Sequence, residues 1–357
     1  IPFCQHRCAY CDFNTYTTVF SLQEQYTSAL EKEIEQVAAL ANLAGQNRPL
    51  HTIFIGGGTP SLLPANELRR LLACARQSFG FTENIEITLE ANPDTLDELY
   101  LAELHRIGIN RLSIGVQSAL AAELAFLERT HDFSKVIESI SFARAAGFNN
   151  ISMDLIYGLP AQNNSAWARS LTHALELEPD HLSLYCLTIE PGTPMYRWLS
   201  TGRIDYPDPD LAAEQYDFAC QLLAGHGFEH YEISNWARPG RACRHNLTYW
   251  RNQEYLGLGA GSHGQAQGYR YQLVRQPRVY IRRLHEGEAN TFPLSSAVAD
   301  SHQISRREAM SDTVITQLRL LQEGLDLTKF HNKFGQSLDE AYDGLVSRLI
   351  GWGLLRQ

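Results

Sequence analysis

The sequence predicts an α/β protein: a partial (β/α)6, TIM-like barrel followed by a C-terminal helical module resembling a winged helix. Short apolar runs alternate with amphipathic helical stretches, several of these stretches end in Gly before the next run, and the alternation stops near Gly225. Strand–helix–strand units of about 30 residues force neighbouring strands to pair in parallel. We count six such units, fewer than the eight of a closed barrel, so we expect an open one.

The predicted strands are short runs rich in branched and aromatic residues. We expect residues 1–3 to end the first strand, and the other five to lie at 52–55, 85–89, 111–115, 151–156 and 182–187, with one more candidate at 228–233. These runs look apolar on both sides, which is typical of parallel sheets covered on each face.

Between the strands, apolar residues recur at three- and four-residue spacing, as in Leu68, Leu71, Leu72 and Ala75. This period predicts amphipathic helices. The predicted helices span residues 22–40, 65–77, 96–107, 134–146 and 165–177. Glycines just after two of them, Gly108 and Gly147, are helix stop signals.

The change of pattern predicts three parts: a barrel over residues 1–225, a connector over 226–303 and a helical module over 304–357. In the last part Val314, Ile315, Leu318 and Leu321 form one apolar stripe, and two shorter helices are expected at 327–334 and 338–350. Lys and Arg number seven there, as do Asp and Glu, which argues against DNA binding. We expect this module to pack against the barrel.

Composition limits the partners and the compartment. The chain has 357 residues and a formal charge of −10, which disfavours broad binding to nucleic acid or to anionic membranes. It has no run of about 18 apolar residues, so no membrane span is expected. Seven cysteines, three of them close together, do not form a disulfide framework. A reducing, cytoplasmic location is the simpler interpretation.

Cys4, Cys8 and Cys11 form a C-x3-C-x2-C pattern directly after the first predicted strand, at the mouth of the barrel. One interpretation is a zinc site with His6 as fourth ligand, but His6 is too close in sequence to two of the cysteines for an easy tetrahedron. The other is a [4Fe–4S] cluster, in which three thiolates leave one iron open. The spacing favours the cluster.

Polar residues stand at the ends of the following strands. A Gly-Gly-Gly-Thr run at residues 56–59 follows one strand, and Glu90, Gln117 and Asp154 lie at or near the ends of the next three. Each could simply cap a loop, but three consecutive strands with this feature indicate a binding site. Arg129 could pair with a carboxylate of the ligand.

The C-x3-C-x2-C pattern, the Gly-Gly-Gly-Thr-Pro run and the Asp-Leu-Ile-Tyr-Gly-Leu-Pro run at residues 154–160 resemble the radical S-adenosylmethionine (SAM) enzymes. The branch they resemble contains oxygen-independent coproporphyrinogen III dehydrogenase and its HemW-type relatives. The resemblance implies that SAM chelates the open iron of the cluster. It also implies SAM contacts from Tyr10, Gly57, Gly58, Thr59, Glu90, Gln117, Arg129, Asp154, Thr188 and His263.

Two features separate the members of this branch. The dehydrogenases have a further Cys where this chain has Phe13, which puts decarboxylating activity in doubt. The run His-Asn-Leu-Thr-Tyr-Trp at residues 245–250 resembles the H-N-x-x-Y-W motif of the HemW type, which binds haem and delivers it to acceptor proteins. His245 is then a candidate haem ligand, since His is a common axial ligand.

The resemblance therefore implies a haem chaperone that uses a cluster, SAM and haem, and it is compatible with peripheral contact to a membrane acceptor. A radical SAM oxidoreductase acting on a porphyrinogen is the alternative, so enzyme activity stays open at this point. A zinc-stabilised binding module is the third interpretation. The remaining cysteines Cys74, Cys186 and Cys220 are expected to be small buried hydrophobes.

Overall fold

The computed structural model describes residues 1–289 and 291–356, and two β-sheets organise them. The larger sheet has seven strands in the order β1-β2-β3-β4-β5-β7-β6, and the smaller has the order β10-β9-β8. The strands are β1 (Leu50–Ile55), β2 (Phe81–Ala91), β3 (Arg111–Gln117), β4 (Ile151–Tyr157), β5 (His181–Cys186), β6 (Glu229–Glu232), β7 (Asn235–Ala237), β8 (His263–Ala266), β9 (Tyr269–Leu273) and β10 (Val298–Gln303).

The helices surround these sheets, and several begin at side-chain caps, including Asp97, Asp132 and Asn163, each of which accepts a hydrogen bond from a first-turn amide. The helices are α1 (Gln23–Leu43), α2 (Ala65–Phe79), α3 (Glu98–Arg106), α4 (Ala121–Phe126), α5 (Phe133–Ala145), α6 (Asn164–Glu176), α7 (Pro194–Ser200), α8 (Pro209–Gly225), α9 (Arg244–Trp250), α10 (Pro277–Glu286), α11 (Arg306–Gln317), α12 (Leu327–Phe334), α13 (Leu338–Ala341) and α14 (Leu345–Gly351). Gly108 and Gly147 follow α3 and α5 with φ of 102° and 98°, as the stop signals predict.

The first five strands, β1 to β5, pair in parallel and form the curled half-barrel that the sequence predicts. β7 and β6 continue the sheet in the antiparallel sense. The prediction was wrong about the first strand: in the described residues, Phe3 forms a single bridge to Tyr16. Residues 1–3 instead bond to the loop after β1, since Gly58 and Thr59 donate their amides to the Ile1 and Phe3 carbonyls.

The prediction that the strands are apolar on both sides was also wrong. One side packs against the helices through core residues such as Leu89, Leu112 and Met153, all fully buried. The residues between them face the inside of the half-barrel, where they are buried and mostly polar: Thr88, Arg111, Ser113, Ser152, His181 and Ser183. The interior of the half-barrel is therefore a polar lumen.

A buried carboxylate joins the barrel to the connector. Glu33 of α1 accepts hydrogen bonds from Tyr280 Oη (2.6 Å), Ser295 Oγ (2.6 Å) and the Gly259 amide (2.7 Å). Burial raises the pKa of Glu33 to about 6. Three donors from the connector thus compensate for removing this group from water. The connector has more regular structure than we expected, since residues 226–303 include β6 to β10, α9 and α10.

The C-terminal module is helical as predicted, but the helix expected at 338–350 is divided into α13 and α14, and most of the apolar stripe is exposed. Ile315 is 67% exposed because Met310 and Thr313 occupy the buried side of α11, and Leu318 and Leu321, beyond the end of that helix at Gln317, are 43 and 50% exposed. The module contacts the connector: Leu320, which is 3% exposed, bridges to Glu232 of β6. Every helix in the described part of the chain is too short or too polar to cross a bilayer.

Candidate functional site

A cavity of about 430 Å³ opens at the carboxyl ends of the parallel strands. Its size lies within the usual range for a small-molecule site. All three predicted cluster ligands and all but one of the predicted SAM residues line it: Cys4, Cys8, Cys11, Tyr10, Gly57, Gly58, Thr59, Glu90, Gln117, Arg129, Asp154 and Thr188. Residues that are far apart in the sequence, from Cys4 to Thr188, therefore line the same cavity.

The loop that contains Cys4, Cys8 and Cys11, called the cysteine loop below, forms one side of this cavity. Backbone bonds from Cys4 to Tyr16 and from Cys11 to Cys8, both 3.1 Å, fix its course. Cys4 Sγ lies 3.4 Å from Thr59 Oγ1, and Arg129 Nη1 donates to Cys8 Sγ at 3.5 Å. Burial raises the pKa of the Cys11 thiol to about 11 and also raises that of Cys4. Metal binding must therefore displace protons from these thiols.

The spacing of the thiols bears on the choice between zinc and a cluster. In a tetrahedral zinc site, sulfur ligands lie about 3.8 Å apart, given Zn–S bonds of about 2.3 Å. In residues 1–289 and 291–356, no three His, Cys, Asp or Glu side chains are close enough together to hold one metal ion. The three thiols therefore share one side of the cavity but are not gathered at the spacing of a single zinc site.

The loop at residues 56–59, called the glycine loop below, needs residues without a side chain. A Cβ at Gly58 would lie 2.6 Å from the Phe3 carbonyl oxygen and 3.1 Å from Cys4 Sγ. Gly57 has φ of 117°, where other residues are strained. The loop packs directly on the cysteine loop, so its backbone reaches the cavity next to the predicted cluster.

Glu90 ends the polar side of β2 and accepts a 3.0 Å hydrogen bond from the Gly57 amide. Burial raises the pKa of Glu90 to about 7, and the nearby Asp154 carboxylate acts in the same direction. A carboxylate here would attract a cationic amine, and loss of its proton becomes easier once such a partner is bound.

Glu90 should make the unliganded chain less stable as pH rises. Its pKa moves from 4.5 in the reference state to about 7 in the fold, so the folded chain binds this proton more tightly. The resulting stability is present below about pH 4.5 and is lost as pH rises through about 7. Between about pH 5 and pH 8, the free energy of unfolding measured with urea should fall by about 2 kcal/mol less in Glu90→Gln than in the parent. Equal pH dependence of the parent and the variant would contradict this assignment.

Arg129 is held from several sides. Its Nη2 donates to Asn92 Oδ1 and, at 2.9 Å, to the Gly115 carbonyl. Its Nε is buried without a hydrogen-bond partner among the described residues. Gln117 lies beside it at a bulge between β3 and β4, with φ of 66°. A fixed guanidinium with a free donor is suited to a ligand carboxylate.

Asp154 forms the floor of the cavity and is supported by residues that the sequence analysis missed. Ser113 Oγ donates to its two oxygens at 3.2 and 3.0 Å, and Ser152 Oγ donates at 3.4 Å. Burial raises the pKa of Asp154. The sequence feature that could have identified these serines is the alternation of polar and apolar residues in adjacent strands, which places the polar side chains on one face.

One predicted SAM position and three cysteines are placed differently from the prediction. Thr188 lines the cavity, but His263 begins β8 in the smaller sheet, is exposed and does not line it. Cys186, predicted to be buried, is exposed at the end of β5 and lines the cavity. Cys74 and Cys220, also predicted to be buried, are half-buried. Phe13 is 63% exposed at the cavity wall.

The H-N-x-x-Y-W motif forms α9 and lies outside the cavity. His245 stacks on Phe54 and is bonded at both ring nitrogens: Nδ1 is 2.9 Å from Thr52 Oγ1 and Nε2 is 2.8 Å from Tyr249 Oη. Burial lowers its pKa to about 4, so the ring is neutral. Iron binding by His245 would require one of the two hydrogen bonds to open.

Two family models match separate parts of the chain. The family model of the radical SAM superfamily matches residues 1–174, and that of the HemN C-terminal domain matches residues 304–357. The heme chaperone HemW of Bacillus subtilis is 37% identical over 357 residues, which cover 99% of this chain and 91% of that protein. The heme chaperone HemW of Mycobacterium tuberculosis is 36% identical over 332 residues, covering 92% and 82%.

A solved structure shares the fold. Coproporphyrinogen III oxidase (HemN) from Escherichia coli, described as a radical SAM enzyme, superimposes with a TM-score of 0.82 at 24% identity. The match covers 99% of this chain and 81% of that one.

Proposed function

This chain belongs to the radical SAM superfamily, in the branch of the HemW proteins, and we propose on that basis that it is a haem chaperone. It would bind haem as cargo and pass it to acceptor proteins. The observation that supports this most strongly is the similarity to a HemW protein over 99% of the chain. We also propose that the barrel, connector and helical module are the three parts at 1–225, 226–303 and 304–357.

We propose that Cys4, Cys8 and Cys11 hold a [4Fe–4S] cluster and that SAM occupies the rest of the cavity. The three thiols on one side of the cavity, the glycine loop and the free donor of Arg129 support this assignment. When bound, the cluster and SAM supply one-electron chemistry. The side chains of this protein would position the ligand: Arg129 at its carboxylate, Glu90 at its amine and Asp154 deeper in the cavity.

Phe13 supports chaperone function over porphyrinogen decarboxylation. In the dehydrogenases that the chain resembles, a further Cys stands at this position, and here an exposed phenyl ring lines the cavity wall instead. A phenyl group can neither ligate iron nor exchange a proton. We further propose a cytoplasmic location and peripheral contact with membrane acceptors, which the free thiols and the absence of a spanning helix in the described residues allow.

Haem titration tests this proposal. The anaerobic, cluster-loaded chain should bind about one haem, and the shift of the haem absorption band measures this binding. If His245 is the ligand, His245→Ala should weaken binding at least about tenfold, a loss of about 1.4 kcal/mol. Tyr249→Phe should instead tighten binding severalfold, because it frees Nε2 from a hydrogen bond of about 1 kcal/mol.

The pair of variants separates ligation from packing. His226→Ala, at an exposed His, is the matched control and should bind haem like the parent. Unchanged binding by His245→Ala would remove His245 as ligand. Equal weakening by His245→Ala and Tyr249→Phe would mean that the motif only stabilises α9. Absence of haem binding by the parent chain would contradict the proposed function.

A further inference from the structure

A continuous run of buried polar side chains crosses the lumen of the half-barrel. It begins at Asp154 on the cavity floor, where Ser152 Oγ lies 3.4 Å from Oδ1. Ser152 Oγ is also 2.8 Å from His181 Nδ1, and His181 Nε2 is 2.8 Å from Tyr231 Oη. Ser152 and His181 are fully buried and Tyr231 is 7% exposed, so water does not replace these bonds.

The run ends at α9, on the other side of the lumen. Tyr231 belongs to the same apolar cluster as Leu247 of α9. Glu86 of β2 accepts hydrogen bonds from the Arg244 and His245 amides at 3.1 and 3.0 Å. Glu86 thereby caps the first turn of the helix that contains the H-N-x-x-Y-W motif. It stands four residues before Glu90 of the cavity, about 13 Å along the strand at about 3.3 Å per residue.

Arg111 lies between these two ends and is not tied to either. It is 1% exposed, and its Nε has no hydrogen-bond partner among the described residues. The carboxylates of Glu86 and Asp154 both attract the positive charge of its guanidinium. Thr88, its register partner in β2, also has a buried hydroxyl without a partner in the described chain. A buried guanidinium between two carboxylates can pair with one or the other, which gives the lumen two arrangements.

We propose that Arg111 and the side chains of Ser152, His181 and Tyr231 couple the cofactor cavity to α9, so that SAM changes the affinity of the chain for haem. The inference rests on the proposed haem-chaperone function and on Asp154 as a SAM contact. A ligand hydroxyl on Asp154 would weaken the attraction of that carboxylate for Arg111, which is bonded to neither Glu86 nor Asp154 without the ligand. Arg111 then turns toward Glu86 and weakens its hold on the first amides of α9, which present His245. These are positioning residues, and the effect is reciprocal by linkage.

The test is a set of titrations on the anaerobic chain with an oxidised cluster, which leaves SAM intact. In the parent, the Kd for haem with saturating SAM should differ from that without SAM by at least about fivefold, and the Kd for SAM should change equally with haem. Tyr231→Phe keeps the ring but removes the bond to His181, so the ratio should fall below about twofold while both ligands still bind. Tyr100→Phe is the matched control: its hydroxyl donates to the Leu63 carbonyl at 2.7 Å, outside the lumen run, and the parent ratio should persist.

Hydrogen exchange gives a readout that does not depend on haem. SAM alone should change amide exchange over residues 243–250 in the parent and in Tyr100→Phe, but not in Tyr231→Phe. Arg111→Gln is not the first choice, since it leaves two buried carboxylates without a cation. If the parent binds no haem yet SAM changes this exchange, the proposed function fails and the coupling stands. Equal haem affinity with and without SAM in the parent, or an undiminished ratio in Tyr231→Phe, would overturn the coupling.

Discussion

Cys8→Ala is expected to abolish the iron–sulfur cluster. Anaerobic reconstitution of the parent with iron and sulfide should give about four irons per chain, and the variant should retain less than about one, because two thiolates cannot hold a cube with an open corner. Loss of the thiol also removes the partner of Arg129 Nη1. Iron and sulfide analysis with spin-resonance spectra of the reduced sample would measure the loss. SAM affinity should fall with it, since the open iron is its predicted anchor.

The matched control for this experiment is Cys186→Ala. Cys186 is an exposed thiol that lines the same cavity but lies outside the C-x3-C-x2-C pattern. The control should bind iron and sulfide like the parent. If Cys8→Ala reconstitutes fully, or if the parent stays colourless and takes up one zinc, the cluster assignment is wrong.

Gly58→Ala is expected to weaken SAM binding by at least about tenfold, equivalent to about 1.4 kcal/mol. The added methyl would meet the Phe3 carbonyl at 2.6 Å and Cys4 Sγ at 3.1 Å, distances at which the backbone must shift. Overpacking of this kind typically costs about 1–3 kcal/mol. The shift separates the glycine loop from the cysteine loop at the point where both meet the cavity. Equilibrium dialysis of SAM against cluster-loaded protein would measure it.

Gly225→Ala is the control for the glycine substitution. A methyl at Gly225, the last residue of α8, has no heavy atom within 4 Å. It should leave SAM affinity unchanged and slightly favour the helix. An unchanged SAM affinity in Gly58→Ala would mean that this loop does not approach the ligand.

The local patterns of the sequence predicted most of the secondary structure and most of the cavity. Helix period and glycine stops placed α1, α2, α3, α5 and α6 close to their observed bounds, and α12 at its observed bounds. The cavity was predictable because parallel strands bring their carboxyl ends to one edge. Residues of separate strands and their loops, such as Thr59, Glu90 and Asp154, then line one cavity without any contact being known in advance.

The polar lumen was missed because the strands were judged by their overall composition. Arg111 and Ser113, like Ser152 and Asp154, alternate with large apolar residues, and a period of two separates the two faces of a strand. Counting each face by itself would have placed a buried arginine and a buried histidine inside the barrel. Cys186 was misjudged for a related reason, since the last residue of a barrel strand faces the cavity and not the core.

Contacts between distant parts of the chain could not be predicted from local pattern. His245 and Thr52, 193 residues apart, share a hydrogen bond that places the H-N-x-x-Y-W motif against β1 and away from the cavity. The exposure of Ile315 and Leu318 has the same origin: periodicity showed an apolar face, but not that Met310 and Thr313 would form the buried side of α11 or that the helix would end at Gln317.

The most direct test of the account compares haem binding and porphyrinogen conversion in one anaerobic preparation of the chain. Haem is titrated into one portion, and coproporphyrinogen III, SAM and a reductant are added to another, with the Escherichia coli HemN enzyme as positive control for conversion. The account predicts about one haem bound per chain and no decarboxylated porphyrinogen, as Phe13 implies. Decarboxylated product from this chain, without haem binding, would contradict it.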